Sequence, residues 1–485
     1  MSDIWTPQPR QIAFMERPEY EVLYGGAAGG GKSDALLIEA LRQVHIPHYK
    51  GIIFRKTYPQ LTELIDRSRV LYRQICPAAK YNGSSHVWSF PSGAQIYFGN
   101  MQRTADRINY QGKAYDLVCF DELTHFQWEE YSYMFSRNRP TGPGTRVYMR
   151  ATTNPGGIGH AWVKARFIDP APPMTTLWEQ NKAPDGKGGI KVVSRDRIFV
   201  PATIFDNQAL LTNDPNYLAS LSMLDENSRQ ALLMGDWNSF EGQVFREWKN
   251  DPEHYDDRIG THVINPFRVP REWRVERCFD FGYTRPSACL WVAISPENIK
   301  YVIREYYTCT GTPNQGTKIH HVEMAEQIKE IEETDENLKG RKIIGVADPA
   351  IFDESRGMSI AADMAKAPNY IVWHRGDHKR LPGKMQMHYH LAFDDNNLPM
   401  LQVFNTCRHT IRTIPTLVYD ETNVEDTNSD GEDHTCTMRS DIYLWIIQYL
   451  HVAKLLRSLT VNCYLILLTR GQTRMERFLL SIYKG

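Results

Sequence analysis

The chain has 485 residues, 42% hydrophobic and 23% charged, enough for two or three domains with buried cores. A formal net charge of −1 excludes nucleic-acid binding by bulk charge, so any such contact must be a local basic patch. The 8 cysteines are scattered, with no CxxC pair and no zinc spacing, so a reducing cytosolic compartment fits best, with cysteines as small core residues.

Met1-Ser2-Asp3-Ile4-Trp5 lacks a basic stretch followed by an apolar run, so no secretion signal is expected. The first polar landmark is Gln11, preferred over Gln8. Its amide could read adenine through a pair of hydrogen bonds, or simply open a helix. Glu21-Val22-Leu23-Tyr24 then reads as a strand, and Leu37, Leu41 and Val44 recur at helical spacing. Between them lies Gly25-Gly26-Ala27-Ala28-Gly29-Gly30-Gly31-Lys32-Ser33, a G-x4-GKS loop. Gly26, Gly29 and Gly31 let backbone N–H groups curl around phosphates, and the helix start adds favourable potential. Lys32 would reach the β- and γ-phosphates of ATP, and the Ser33 hydroxyl would ligate Mg²⁺.

Phe54-Arg55-Lys56-Thr57 puts two cations at a strand end, where Arg55 could approach phosphate. Asp116-Leu117-Val118-Cys119-Phe120-Asp121-Glu122 is a buried strand ending in two carboxylates. Asp121 would hold Mg²⁺, and Glu122 would orient and deprotonate the attacking water. Arg137 and Arg139 are candidate arginine fingers, in cis or from a neighbour, or solvated surface residues. A third strand ends in Thr152-Thr153-Asn154-Pro155-Gly156, whose hydroxyls and amide could sense the γ-phosphate.

Residues 156–265 are rich in Pro, Gly, Asn and Asp with helical stretches, notably 211–235. They read as a bridge between two domains. Beyond them, Phe279-Asp280-Phe281 carries a carboxylate in an apolar strand. Residues 289–294 and 301–307 continue a meander, and a strand from Lys342 ends in Asp348. Residues 428–434 form an acidic cluster that includes Asp433. Carboxylates from separate strands can converge on two divalent metals, Mg²⁺ or Mn²⁺, for phosphodiester cleavage. Arg375, His378, Lys379, Arg380 and Lys384 form a basic stretch that could track DNA phosphates or be a solvated loop. The most apolar stretch, 443–468, is interrupted by Gln448, His451, Lys454, Arg457 and Asn462, so no membrane span is expected.

Taken in order, the glycine loop, Asp121-Glu122 with Thr152-Thr153-Asn154, Gly235-Asp236-Trp237, and Asp280 with Asp348 resemble the large terminase subunit of tailed double-stranded DNA bacteriophages. The resemblance runs from about residue 1 to residue 435. It implies an α/β chain: a P-loop additional-strand ATPase domain over 1–210, a connector over 211–265 and an RNase H-like nuclease over 266–435. It implies that ATP hydrolysis drives double-stranded DNA into the prohead and that the nuclease cuts concatemers. It also implies a homo-oligomer at the portal protein, in the host cytoplasm, working with a small terminase subunit. Lys32 and Ser33 carry over as phosphate and Mg²⁺ ligands, Asp121 and Glu122 as metal ligand and base, and Thr152, Thr153 and Asn154 as the coupling element. Asp280, Asp348 and Asp433 carry over as the nuclease metal ligands. Two rivals differ in class. A helicase or translocase without nuclease activity would share only the ATPase half, and a nucleotide-binding assembly adaptor would have no use for Glu122.

The resemblance breaks after Asp433-His434-Thr435, where the family continues in a pattern like YDALRY. Here the chain reads Cys436-Thr437-Met438-Arg439-Ser440-Asp441-Ile442-Tyr443. The codons TGT ACG ATG CGC TCA GAT ATA TAT encode those residues, and read from the third base they give Tyr-Asp-Ala-Leu-Arg-Tyr. We hypothesise a frameshift near codon 436, with 436–485 as an aberrant tail. The expected outcome is that the gene carries codons compatible with that second reading; sequencing the DNA and finding incompatible codons overturns it.

Overall fold

The computed structural model describes residues 5–427, apart from 28, 215, 224–228, 230–232, 234, 238–241, 312–313, 356, 377–379 and 421–425. The described residues fall into two compact units. One runs to Arg246 and takes in the segment from Pro415; the other covers Glu247 to Ile414. The second unit therefore starts earlier than the expected 266, and the first regains a segment expected in the second. Val244 N–H bonds the Leu417 carbonyl at 2.8 Å, and Gln243 Nε2 bonds the Pro415 carbonyl at 3.0 Å.

The first unit is built on nine strands: β1 (Glu21–Gly26), β2 (Lys50–Arg55), β3 (Lys80–Asn82), β4 (Val87–Ser89), β5 (Gln95–Asn100), β6 (Leu117–Phe120), β7 (Tyr148–Thr153), β8 (Leu177–Pro184) and β9 (Ile190–Ala202). Their order is β3-β4-β5-β2-β6-β7-β1-β9-β8. The run from β5 to β9 is parallel, with antiparallel strands at both edges. Parallel strands buried on both faces are mostly apolar, as β6 is throughout and β1 is beyond Glu21, whose buried carboxylate pairs with Arg166. Their side chains alternate between two cores. Val22, Tyr24, Leu117 and Cys119 pack in one with α2 (Lys32–Ala40) and α3 (Tyr58–Ile75). Leu23, Val118 and Phe120 pack in the other with Tyr131 and Trp162. β7 is the additional strand: it lies between the glycine-loop strand β1 and the carboxylate strand β6.

The β8–β9 hairpin is a departure from the sequence reading, which took residues 156–265 as a bridge. Only the final residues of β9, Arg197 to Ala202, pair with β1. The rest of the hairpin stands out from the sheet, with Trp178 and Ile190 exposed. Without a buried face it carries no clean alternation to read. The stretch expected to be helical over 211–235 shows two short described helices near its start, Gln208–Asn213 and Tyr217–Ser222.

The second unit holds a seven-stranded sheet: β10 (Val263–Ile264), β11 (Arg274–Asp280), β12 (Ala288–Ile294), β13 (Lys300–Tyr307), β14 (Ile344–Ala347), β15 (His374–Arg375) and β16 (Leu401–Phe404). The order is β10-β16-β13-β12-β11-β14-β15. β11, β12 and β13 form the expected antiparallel meander, and β14 joins β11 in parallel. A meander followed by parallel strands on its first edge is the RNase H-like arrangement. A helix, His321–Thr334, buries Met324, Ala325 and Ile328 at helical spacing. Among the described residues no helix is long and apolar enough to cross a membrane.

Candidate functional site

In a parallel sheet the carboxyl ends of the strands form the natural ligand cleft. In the first unit β1, β2, β6 and β7 deliver their polar residues to that edge. Gly26 closes β1 with φ +129°, and Gly31 precedes α2 with φ +67°. A Cβ at Gly31 would sit 2.6 Å from Gln11 Nε2, so only glycine fits there.

The loop is held from behind by its carbonyls. Gly29 O accepts from Asn207 Nδ2 at 2.5 Å, Gly30 O from the Tyr24 hydroxyl at 3.2 Å and Gly31 O from Gln11 Nε2 at 2.7 Å. In a trans peptide the next N–H points opposite to the carbonyl. Pinning these three carbonyls therefore turns the N–H groups of Gly30, Gly31 and Lys32 to the other side, the arrangement that holds an anion. Two of the amides are themselves oriented by helix starts. Gln11 Oε1 accepts the Gln8 N–H at 2.8 Å, and Asn207 Oδ1 accepts the Leu210 N–H at 3.2 Å. Each is left with its nitrogen facing the loop. Gln11 thus acts on the loop backbone, a role that adenine reading did not anticipate.

Lys32 is buried, and Nζ donates to Ala27 O at 2.6 Å and to Asn154 Oδ1 at 2.7 Å. Burial pushes its pKa below the usual lysine value, against the opposing pull of Glu122 and Asp121. The Asn154 amide nitrogen faces Glu122 Oε1 at 3.5 Å, so one side chain spans from Lys32 to Glu122. Asp121 is fully buried, with the Ser33 hydroxyl 3.1 Å from both its oxygens and Arg55 Nε at 2.6 Å. Thr152 donates to the same carboxylate. Thr153 is not aimed at the cleft: its hydroxyl donates to Thr124 Oγ1 at 3.0 Å and accepts the Thr124 N–H at 3.2 Å. Glu122 has φ +58°, a left-handed backbone that a non-glycine residue adopts only under constraint. The donor set fits magnesium: a hydroxyl and a carboxylate, both oxygen, beside a glycine cradle whose N–H groups are turned to an anion.

Arg137 and Arg139 lie elsewhere. The Tyr115 N–H bonds Arg137 O at 2.9 Å, and the Arg139 N–H bonds Tyr115 O at 3.1 Å. Tyr115 precedes β6, whereas Glu122 follows it. At about 3.3 Å per residue this places the pair about 20 Å from the cleft, at the opposite end of the strands. A finger in cis is therefore overturned.

In the second unit Asp280 ends β11 and Asp348 follows β14 directly. Phe279 pairs with Ala347, and the Asp348 N–H bonds Phe279 O at 3.1 Å, so the two aspartates stand side by side on adjacent strands. Their residues are 2% and 3% exposed, a burial that two like charges tolerate only with compensation. Asp348 Oδ1 also accepts the Ala350 N–H at 2.5 Å, capping the turn that follows. Paired oxygen donors at strand ends suit a hard divalent cation. Among the described residues no group of three His, Cys, Asp or Glu side chains is gathered for a metal. Asp433, the expected third carboxylate, lies outside the described residues, as do His378 and Lys379. Of the remaining basic stretch, Arg375 is exposed but Lys384 is buried, which removes Lys384 as a surface phosphate contact.

Residues 23–249 match the family model for the N-terminal part of the T4likevirus-type terminase large subunit. No curated protein matches the chain. Among solved structures, the HK97 bacteriophage large terminase is similar with 10% identity and TM-score 0.42, over 91% of this chain and 94% of that one. The large terminase of a thermophilic bacteriophage is similar with 15% identity and TM-score 0.38, over 87% of this chain and 95% of that one. The P22 large terminase nuclease domain is similar with 15% identity and TM-score 0.29, over 40% of this chain and 87% of that one.

The carbonyl clamp has a measurable consequence. Asn207→Ala and Tyr24→Phe each remove one neutral hydrogen bond, worth about 0.5–1.5 kcal/mol, and should weaken ATPγS binding about 2- to 10-fold. Asn207→Asp should be worse than alanine, because its second carboxylate oxygen would face Gly29 O. Equal affinity for wild type and all three variants in a titration overturns the clamp.

Proposed function

We infer that this chain, a large terminase subunit of tailed bacteriophages through its match over residues 23–249, uses ATP hydrolysis to drive double-stranded DNA into a prohead and cuts that DNA with its second unit. The observation that carries the ATPase reading is the Asn154 side chain, which touches both Lys32 and Glu122. A protein that only holds nucleotide has no use for a base wired to its phosphate lysine.

In this reading the N–H groups of the clamped loop and Lys32 bind the phosphates. Ser33 and Asp121 would hold magnesium, which supplies charge neutralisation across the β- and γ-phosphates when bound. Arg55, now on Asp121, offsets the charge of that carboxylate. Glu122 orients a water, takes its proton as the water oxygen bonds the γ-phosphorus, and the bridging oxygen leaves with ADP. Asn154 feels both the lysine and the base, so loss of the γ-phosphate is transmitted along β7. Arg137 and Arg139, about 20 Å from their own cleft, can serve as fingers only in the cleft of a neighbouring copy, which favours a homo-oligomeric motor. Portal protein and small terminase subunit are the partners such a motor implies.

For the nuclease, Asp280 and Asp348 would hold divalent metal, with Asp433 as the third ligand. Metal held there would supply activation of water and stabilisation of the leaving oxygen. This site is what separates the reading from that of a translocase without nuclease activity.

Two substitutions test the two halves independently. Glu122→Gln should lower ATP turnover by about 10²- to 10⁴-fold, the usual worth of a general base, while ATPγS binding stays within about threefold. Asp280→Ala should abolish cutting of plasmid DNA with Mn²⁺ and leave ATP turnover intact. Undiminished hydrolysis in the first variant, or undiminished cutting in the second, removes the corresponding half of the assignment.

A further inference from the structure

His160 is buried and takes no part in the chemistry above, yet both its ring nitrogens are engaged. The Gly156 N–H donates to Nδ1 at 3.0 Å. Nε2 lies 3.1 Å from the Trp237 carbonyl. An acceptor at Nδ1 and a carbonyl at Nε2 fix the neutral tautomer with its proton on Nε2. Burial, with Lys164 adding to it, pushes the imidazole pKa down to about 3, so the ring stays neutral across physiological pH. The ring also stacks on the Trp237 indole, with centroids 5.3 Å apart and planes 28° off parallel.

What lies at each end of this link gives it meaning. Gly156 belongs to the loop that leaves β7 just after Asn154, the residue that touches Lys32 and Glu122. That loop is tightly seated: the Gly159 N–H bonds Thr124 O at 2.7 Å, and a Cβ at Gly157 would sit 2.8 Å from the same oxygen. At the other end, Trp237 packs on Phe199 of β9 at 6.2 Å. Two residues earlier, Gly235 lies against the glycine loop, where a Cβ would be 2.8 Å from Gly26 Cα and 3.0 Å from Ala27 N. Residues 235–237 therefore touch the phosphate loop directly and the γ-phosphate-sensing loop through one imidazole. They precede the end of the first unit at Arg246.

We propose that His160 is a positioning residue that makes residues 235–237 follow the nucleotide-dependent position of the loop after Asn154. Its side chain links two backbone groups, an N–H on the sensing loop and a carbonyl on the exit segment, through a rigid ring. A displacement of Gly156 is then passed to Trp237 at fixed length. The inference rests on the reading of residues 26–33 as the nucleotide loop.

The test uses the full chain with ATPγS and Mg²⁺ as the probe, and reads amide hydrogen exchange over residues 235–246 together with kcat and KM for ATP. In wild type, ATPγS should change exchange over this segment several-fold. In His160→Ala that response should vanish and kcat should fall about tenfold, while KM and ATPγS affinity stay within about twofold. His160→Asn places an acceptor where Nδ1 was but cannot reach Trp237, so it should hold the loop yet still lose the response. His160→Gln places an amide nitrogen where Nε2 was and should restore part of it. Should the alanine variant fail to fold, the asparagine and glutamine variants decide the matter. A nucleotide response over 235–246 as large in the asparagine variant as in wild type overturns the proposal, and so does a wild type that binds ATPγS with no response there. A wild type that does not bind ATPγS at all strikes the nucleotide reading first and this inference with it.

Discussion

A loop that grips an anion with its N–H groups must find other partners for its carbonyls. That constraint organises the first unit. A buried, unsatisfied carbonyl costs free energy comparable to a lost hydrogen bond, so the loop could not hold its shape if its back were bare. Here the back is covered by side chains from three separate places: Gln11 from the helix before β1, Tyr24 from β1 itself and Asn207 from the turn after β9. The strand order is what makes this work. β9 lies beside β1, so the chain leaving β9 passes directly behind the loop. An amide suits two of these places because its oxygen can cap a helix start while its nitrogen serves the loop.

The same sheet order explains the reach of Asn154. Because β7 is inserted between β1 and β6, the strands that lead to Lys32 and Glu122 are two strand spacings apart, about 10 Å, and the residue after β7 stands between the two side chains. That residue carries an amide, a neutral side chain that can accept from an ammonium and donate to a carboxylate at once. Asp121 is constrained more tightly still, by Ser33, Thr152 and Arg55 together. The cleft is therefore rigid where metal and phosphate would sit. At Glu122 it is strained: a left-handed non-glycine backbone costs about 1–3 kcal/mol and persists only where its surroundings enforce it. Leu123 and Phe126, both fully buried, anchor the turn that imposes it.

How much of this was legible in the sequence follows from contact range. The glycine loop, Asp121-Glu122 and Thr152-Thr153-Asn154 are local patterns at strand ends, and the structure brings all but the Thr153 side chain together. Asp280 and Asp348 were readable for the same reason, since an aspartate closing an apolar strand marks itself. Gln11 was singled out, but for adenine, because nothing local says that its amide faces Gly31. Asn207 went unnoticed although Asp206-Asn207 before a helix is a capping signal; its contact to Gly29 crosses 178 residues of sequence. Arg137 and Arg139 read as fingers from residue type alone, whereas their place between a helix and the start of β7 puts them at the amino end of the sheet. The β8–β9 hairpin was hidden by its own exposure, since a strand with no buried face shows no alternation.

The second unit poses a sharper physical question than the first. Two aspartates side by side and nearly fully buried repel each other unless positive charge offsets them. The fold places them there regardless: β11 and β14 are parallel neighbours in register, and each leads into its aspartate. Hydrophobic packing of the sheet, with Val346, Ala347, Cys278 and Phe279 buried, supplies the stability that tolerates such a pair. The buried arginine of β11, Arg277, spends its charge elsewhere, on Glu332 at 2.6 Å and on the Val372 carbonyl at 3.0 Å. Two oxygen ligands at strand ends are the donor chemistry that a hard divalent cation takes. An ion that bound the folded pair and not the unfolded chain would add its binding free energy to the stability of the fold. The in-register pairing of β11 and β14 that sets two carboxylates side by side is thereby the same feature that would hold a metal.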